Sequence, residues 1–277
     1  SVEGQNRYKI WYDKPASYWE EALPIGNGRI AAMVFGDPQL EQIQLNEETV
    51  SAGSPYQNYN EEAKAALPEM RRLIFEGKYE EAQNMAATKI LSQVGNEMPY
   101  QTVGRLNIRY QDHKKVSNYY RDLDISNAMT VTRYKVDGVE FTEETFASFT
   151  DQLVIRHIKS SKPGAINCEL FFNTPMRDPK RSIYGKKGLR LEGITHGSRY
   201  FPGKVHYCAD LDVKNKGGEV TMANDTLLSV QGASELTLYI SMATNFVNYK
   251  DISGDPYQRN KTYLKNAEKA MDCLLYT

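Results

Sequence analysis

The sequence predicts a mainly β protein, a large antiparallel β-sandwich with a short two-helix insertion and a helix near its C-terminal end. Three observations carry this. Short runs in which apolar and polar side chains alternate fill the stretch from Tyr100 to Thr244, as strands with one buried face do. Turn residues separate those runs at Asp137-Gly138, Lys162-Pro163-Gly164, Gly217-Gly218 and Asn224-Asp225. Apolar residues at helical spacing occur in Asn60–Leu91 and again in Tyr257–Leu275.

Taken in order, the run Ala22 to Gly36 opens with Leu23-Pro24-Ile25 and the turn Gly26-Asn27-Gly28, whose backbone angles suit glycine. That turn feeds a buried apolar strand. The next run sets Ile43 and Leu45 inward between polar neighbours and ends in Asn46-Glu47-Glu48. Between Asn60 and Leu91, Ala63, Leu67, Met70 and Ile74 share one helical face, and Tyr79, Ala82, Ala86 and Ile90 share another. Two short helices joined at Glu76-Gly77-Lys78 are expected, inserted between sheets. Asn60 suits the first cap. Pro68 suits a fresh helical start better than a helix interior, because proline lacks the donor that an interior turn needs.

Thr130 to Val136 and Val139 to Phe146 flank Asp137-Gly138, which supplies the positive φ angles of a type I′ hairpin turn. Further strands are expected over Gln152–Ile158, Val205–Val213 and Leu236–Ala243. In the second of these Val205, Tyr207, Ala209, Leu211 and Val213 share one face and His206, Cys208, Asp210 and Asp212 the other. In the last helix Leu264, Ala267, Met271 and Leu274 form an apolar stripe. A stripe left unfilled at the end of the sequence predicts the front part of a longer protein; a helix docking back on the sheet is the alternative.

Composition narrows the function. Of 277 residues, 34 are Lys or Arg and 35 Asp or Glu, a formal net charge of -1 with no basic block, so the electrostatic footprint of a nucleic-acid binder is missing. No window approaches the roughly 18 consecutive apolar residues of a membrane span. The opening Ser1-Val2-Glu3-Gly4-Gln5-Asn6 does not read as a charged-then-apolar leader, so localisation is not legible there. The three cysteines, Cys168, Cys208 and Cys273, form no C-x-x-C pair. The 19 tyrosines suit sugar-lined clefts as well as sheet faces.

Tests for chemistry leave little. Glu20-Glu21, Glu47-Glu48 and Glu143-Glu144 are chain neighbours that a strand points to opposite faces, so none alone makes the facing carboxylates of glycoside hydrolysis. His157 shares a face with Leu153 and Ile155 and reads as a hydrogen-bonded core histidine. His206, Cys208 and Asp210 include metal-ligand types, yet same-face neighbours on a strand stand about 7 Å apart and rarely close on one ion. No metal and no cofactor are expected. The triplets Asn224-Asp225-Thr226 and Asn260-Lys261-Thr262 match the glycosylation pattern.

Two segments then carry a resemblance. "ALPIGNGRIAAMVFG" and "IQLNEETVSAG" resemble the opening of glycoside hydrolase family 95, the α-L-fucosidase family. "LPEMRRLIFEGKYEEAQNMA" resembles that family's helical insertion, and "MPYQTVGRLNIRY" its following strand. "YYRDLDISNAMTVTRYKVDGVEFTEETFAS" resembles its long hairpin region and "ATNFVNYKDISGDP" the approach to its helical linker. The order holds from Tyr8 to Leu275.

The resemblance implies an N-terminal super-sandwich domain over residues 1–255 and the start of a helical linker over 256–277. It implies a partner too, an (α/α)6 catalytic barrel beyond Thr277 within the same protein. The whole enzyme is expected to hydrolyse terminal α-1,2-linked L-fucose with inversion, or the related α-L-galactose, on fucosylated oligosaccharides, after export to the periplasm or outside the cell. The family's catalytic acid and its water-activating groups lie on the barrel, so no catalytic residue is expected in this chain. Asn27, Asn46 and Glu47, at strand ends that could reach a neighbouring barrel, are the candidate substrate-binding residues. Val50-Ser51 stands where Leu-Trp is common in the family and Arg105 where aspartate is, so sugar preference is open. The rival readings are a free-standing carbohydrate-binding sandwich and a purely structural domain whose helix closes on itself.

Overall fold

The computed structural model describes residues 8–92, 98–197 and 201–274, with side chains through 266. In chain order the elements are β1 (Lys9–Tyr12), β2 (Leu23–Gly26), β3 (Ile30–Val34), β4 (Leu40–Glu47), α1 (Ala63–Phe75) and α2 (Tyr79–Met85). Next come β5 (Gly104–Tyr110), β6 (Val116–Asp124), β7 (Met129–Val136), β8 (Val139–Ser148), β9 (Leu153–Ser160) and β10 (Ile166–Asn173). The chain continues through β11 (Arg177–Tyr184), β12 (Gly188–Ile194), β13 (His206–Lys216), β14 (Glu219–Asn224), β15 (Leu227–Ala233), β16 (Glu235–Thr244) and α3 (Pro256–Leu274).

The strands form two antiparallel sheets. One has nine strands in the order β1-β6-β7-β8-β9-β16-β13-β12-β11, and the other seven in the order β14-β15-β10-β5-β4-β3-β2. Their inner faces interdigitate: Ile43, Leu45, Leu106, Ile108, Leu170 and Phe172 of the smaller sheet meet Tyr134, Val154, Ile158, Leu211, Leu238 and Ile240 of the larger. Burying each such side chain contributes about 1.5–3 kcal/mol. The predicted sandwich is present, and so is the predicted hairpin. Val136 pairs with Val139 across Asp137 and Gly138, whose φ angles of 48° and 81° are those of a type I′ turn.

Around the helical insertion three expectations change. The helices join β4 to β5, which are neighbours in one sheet, so the insertion lies within the smaller sheet rather than between sheets. Pro68 sits inside α1, which runs through it; the residue lies on an exposed face, where losing one backbone hydrogen bond leaves no buried carbonyl stranded. Asn60 lies ahead of the first turn, its Oδ1 accepting from the Glu62 N–H at 3.0 Å, and Glu62 occupies the cap position without a side-chain bond. Gly77, at φ 77°, makes the break between the helices as expected.

The final helix begins cleanly because Asp255 Oδ1 accepts from the N–H groups of Tyr257 at 2.9 Å and Gln258 at 3.1 Å, with Pro256 in the first turn. Its first half docks on the outer face of the nine-stranded sheet. Leu264 packs with Leu153, Ile155 and Tyr239, and the buried Asn260 bridges two strands. Asn260 Nδ2 donates to the Cys208 carbonyl at 3.0 Å and Oδ1 accepts from Ser241 Oγ at 2.7 Å. That closes the Asn260 triplet to glycosylation in the folded protein. The side chains of Ala267, Met271 and Leu274, the rest of the predicted stripe, lie outside the described residues.

His157 is not a core residue. It stands on the outer face with its side chain 23% exposed, Nε2 3.4 Å from Glu235 and Nδ1 3.9 Å from Glu144. The buried histidine is His113, stacked on Tyr110 at 4.6 Å with Nδ1 3.0 Å from the Pro38 carbonyl.

Candidate functional site

Along β4 the side chains of Glu41, Ile43, Leu45 and Glu47 alternate inward, so one strand carries a buried carboxylate at each end of its apolar stretch. These two glutamates organise two polar sites of different character.

At the Glu47 end the turn between β2 and β3 meets the turn between β8 and β9. Asn27 Oδ1 accepts from the N–H groups of Arg29 at 3.1 Å and Ile30 at 2.9 Å, while Nδ2 donates to the Ser148 carbonyl at 2.8 Å. Asn27 thus shapes its own turn and fastens it across the sandwich. Arg29 donates through Nε to Gln152 Oε1 at 2.7 Å, and through Nη1 to the Met242 carbonyl at 2.8 Å and Glu47 Oε1 at 3.3 Å. Its guanidinium lies 4.7 Å above the Tyr263 ring of α3. Glu47 Oε2 accepts from the Thr49 N–H at 2.7 Å and Oγ1 at 2.6 Å, and Thr49 Oγ1 also contacts Thr244 Oγ1. Burial holds the Glu47 carboxyl above its ordinary range, opposed by the Thr49 bonds and Arg29. Burial and the neighbouring Glu47 and Glu48 push the Tyr100 hydroxyl up to about 12.

Of the three candidate residues, Asn27 and Glu47 are brought together through Arg29. Asn46 is not with them; it is half-buried on the opposite face of β4, paired in register with Ala31. The side-chain bonds of Asn27 and Glu47 are spent within the chain, and what faces outward is the loop that follows them. A cavity of about 610 Å³ opens there, lined among others by Glu48, Thr49, Tyr56, Phe246 and Tyr249. Tyr56 is tilted against Phe201 at 4.3 Å between ring centroids. Aromatic faces beside hydroxyls and a carboxylate suit a small polyhydroxylated ring. Glu48 is the one carboxylate among the described lining residues, so the pair needed for inverting glycoside hydrolysis is not assembled by them.

Sequence reasoning missed Arg29, Thr49, Gln152 and Thr244, which are ordinary polar residues until the two turns meet. It also missed the site at the Glu41 end, for which a signal existed: Glu41 shares the inward parity of Ile43 and Leu45, and Glu143 that of Phe141. Arg156 Nη2 lies 2.7 Å from Glu41 Oε2 and also contacts Glu143, with side chains at most 1% exposed. Tyr110 and Tyr134 donate to Glu143 Oε1 at 2.5 and 2.8 Å, and Glu41 accepts from the Gly36 and Gln42 N–H groups, each at 2.9 Å. Burial pushes the Glu41 carboxyl up to about 7, with Arg156 opposing and Glu143 adding to the rise. This carboxylate pair is sealed in the core, out of reach of any glycan, and its role is structural. Among the described residues no cluster of three or more His, Cys, Asp or Glu side chains could hold a metal ion. Asp210 instead takes a bidentate pair with Arg190 at 2.6 and 2.8 Å.

Two packed antiparallel sheets, a helix laid on the larger one and a loop-built cavity at the sandwich end define a large antiparallel β-sandwich domain. The chain belongs to the family described as glycosyl hydrolase family 65, N-terminal domain, whose model matches residues 10–249. Alpha-L-fucosidase 2 of Arabidopsis thaliana is 31% identical over 261 residues, 86% of this chain and 30% of that protein. A protein of Aspergillus oryzae assigned as alpha-fucosidase A is 22% identical over 90% of this chain and 35% of its own length. Its counterpart in Aspergillus niger is 26% identical over 55% of this chain and 20% of its own length. The chain therefore spans between 20% and 35% of the curated relatives it matches. In fold it is like a human-microbiome protein assigned as a kojibiose phosphorylase, with a TM-score of 0.50 over 95% of this chain and 35% of that one at 10% identity. The resemblance to the N-terminal domain of fucosidases, read from motifs, is borne out at the level of the family. Among the described residues no helix is long and apolar enough to cross a membrane.

Proposed function

We propose that this chain is the non-catalytic N-terminal domain of a family 95 α-L-fucosidase, with residues 256–277 opening a helical linker toward a catalytic barrel. In this reading the whole enzyme removes terminal α-1,2-linked L-fucose from fucosylated oligosaccharides with inversion, and serves in glycan degradation outside the cytoplasm, in the periplasm or beyond the cell. The observation that carries it is the likeness to the Arabidopsis alpha-L-fucosidase along 86% of the chain. Two features of the site support it. The described lining of the loop-built cavity contributes aromatic and hydroxyl groups without a second carboxylate, which suits one wall of a cleft whose acid and base come from elsewhere. Arg29 ties the turn beneath that wall to α3, so the loop and the linker share one anchor.

Fucose release from 2′-fucosyllactose tests this directly. The 277-residue chain alone is expected to release none, and the chain joined to the catalytic region of the Arabidopsis relative is expected to release it as β-L-fucose, the inverted anomer. Release by the chain alone, or no release by the joined form when α-L-galactosides are cleaved, would overturn the assignment. The rival binding-module reading rests on the same aromatic cavity. Calorimetry with fucosylated oligosaccharide favours it if the isolated chain binds, and a null result up to millimolar sugar removes it.

A further inference from the structure

A second groove, of about 830 Å³, lies on the outer face of the nine-stranded sheet between the turn joining β11 to β12, strand β13 and helix α3. Its described lining contains five lysines, Lys186, Lys187, Lys214, Lys261 and Lys265, and one carboxylate, Asp212. The contrast with the whole chain, whose formal charge is -1, makes this a local concentration of charge.

The backbone fixes the arrangement. The turn is closed by the pairing of Tyr184 with Gly188 and pinned to β13 by the Val213 N–H donating to the Lys187 carbonyl at 3.0 Å. Lys187 Nζ reaches Asn215 Oδ1 at 2.8 Å. On the facing side Lys261 and Lys265 are one helical turn apart on α3, whose position is set by the buried Asn260, just before the first, and the buried Leu264, between the two. Lys214 pairs with Asp212 at 3.2 Å. That leaves Lys186, Lys187, Lys261 and Lys265, all exposed, with no carboxylate of the described lining to match them. Like charges at i, i+4 on a helix are unfavourable by themselves, and a concave surface of one sign concentrates the opposite charge from solution.

We infer that this groove binds an acidic polysaccharide through its carboxylate or sulfate groups, with the half-buried Tyr184 offering apolar surface to the sugar rings between those groups. The choice of a glycan over other polyanions rests on the carbohydrate-processing reading above. The test needs no hydrolysis, so its failure leaves the fucosidase assignment standing, and the reverse holds as well.

The chain is titrated in low salt with polygalacturonate, dextran sulfate, neutral dextran and duplex DNA. Tighter binding of polygalacturonate than of dextran sulfate assigns the groove to carboxylates, and the opposite order to sulfates. The variant K186Q/K187Q/K261Q/K265Q is expected to lose roughly tenfold or more in affinity, and the wild-type chain to lose a comparable factor between low and physiological salt. The charge-matched control K64Q/K114Q/K115Q/K162Q, on exposed lysines outside the groove, is expected to bind as the wild type does. Equal loss in the control, equal binding of neutral dextran, duplex DNA bound as tightly as the acidic polysaccharides, or no binding at all would each overturn the inference.

Discussion

Replacing Arg156 by Met probes the sealed end of the sandwich most sharply. Its guanidinium is the shared partner of Glu41 and Glu143, and all three side chains are at most 1% exposed. Methionine fills much of the space but leaves two carboxylates in a low-dielectric core. Breaking a buried pair from one side costs about 3–5 kcal/mol, and here two partners are stranded, so the upper part of that range is expected at pH 8. The loss should shrink toward pH 5, where Glu41, whose carboxyl burial already raises, takes up a proton and no longer needs a counter-charge. In a chain of this size the change corresponds to a fall of about 10 °C or more in melting temperature. The triple variant E41Q/E143Q/R156M is expected to recover at least half the loss. Its amide oxygens can still accept from Gly36, Gln42, Tyr110 and Tyr134, and no charge remains to be desolvated. Urea unfolding followed by circular dichroism at both pH values measures all three proteins. A loss under about 1 kcal/mol at pH 8, or a triple variant no more stable than the single, would refute the reasoning.

Other predictions follow from the same interactions. Burial raises the Glu41 carboxyl from 4.5 to about 7, so between those values the folded chain holds a proton that the unfolded chain releases. Stability contributed by this group is full below the lower value and is lost as pH rises through the upper one. E41Q should flatten that decline by at most about 3 kcal/mol, seen as urea midpoints that change less between pH 4.5 and 7.5; an unaltered slope speaks against it. Arg29→Ala strands the Met242 carbonyl and the Glu47 carboxylate together, and about 2–3 kcal/mol of stability should go with it. Its mark is faster hydrogen exchange in the turns at Asn27 and Ser148, and unchanged exchange there would count against the anchoring role. Gly36 has φ 74°, and a Cβ there would lie 2.7 Å from Tyr119 Oη and 2.9 Å from Arg121 Cδ. Gly36→Ala should therefore cost about 2–3 kcal/mol by denaturant titration, and a neutral result would mean the loop shifts freely.

Alternation made most of the fold legible, because a strand with one wet face must write its period into the sequence. The hairpin around Asp137-Gly138 and the strand carrying Tyr207, Ala209 and Leu211 were readable for that reason. The partition of strands into sheets was not, since which strand lies beside which depends on partners a hundred or more residues away. Lys9 opposite Asp124 is an example. Pro68 misled because the penalty on an interior proline is a preference that the rest of a helix can outweigh, and in α1 the carbonyl of the exposed Lys64, which loses its donor, is left to water. At the site, motif resemblance marked Asn27 and Glu47 but could not show that both are occupied in holding turns together. Arg29, which joins them, carries no motif of its own. His157 was placed in the core because its strand neighbours Leu153 and Ile155 are apolar. Those residues are covered by α3, and the cover ends before His157.

The place of β16 in the larger sheet bears on how the chain reaches its native state. This strand pairs with β9 on one side and β13 on the other, so until residues 235–244 leave the ribosome the sheet exists as two halves with open edges. Tyr207 to Val213, the most apolar of the early strands at that seam, waits unpaired along one side. Sequence-distant closure of this kind is slow, and unpaired edges invite association with other chains. Of the strands in this sandwich, the one latest in sequence is the one that joins the halves, and a chaperone acting on the nascent chain would have its work at that seam.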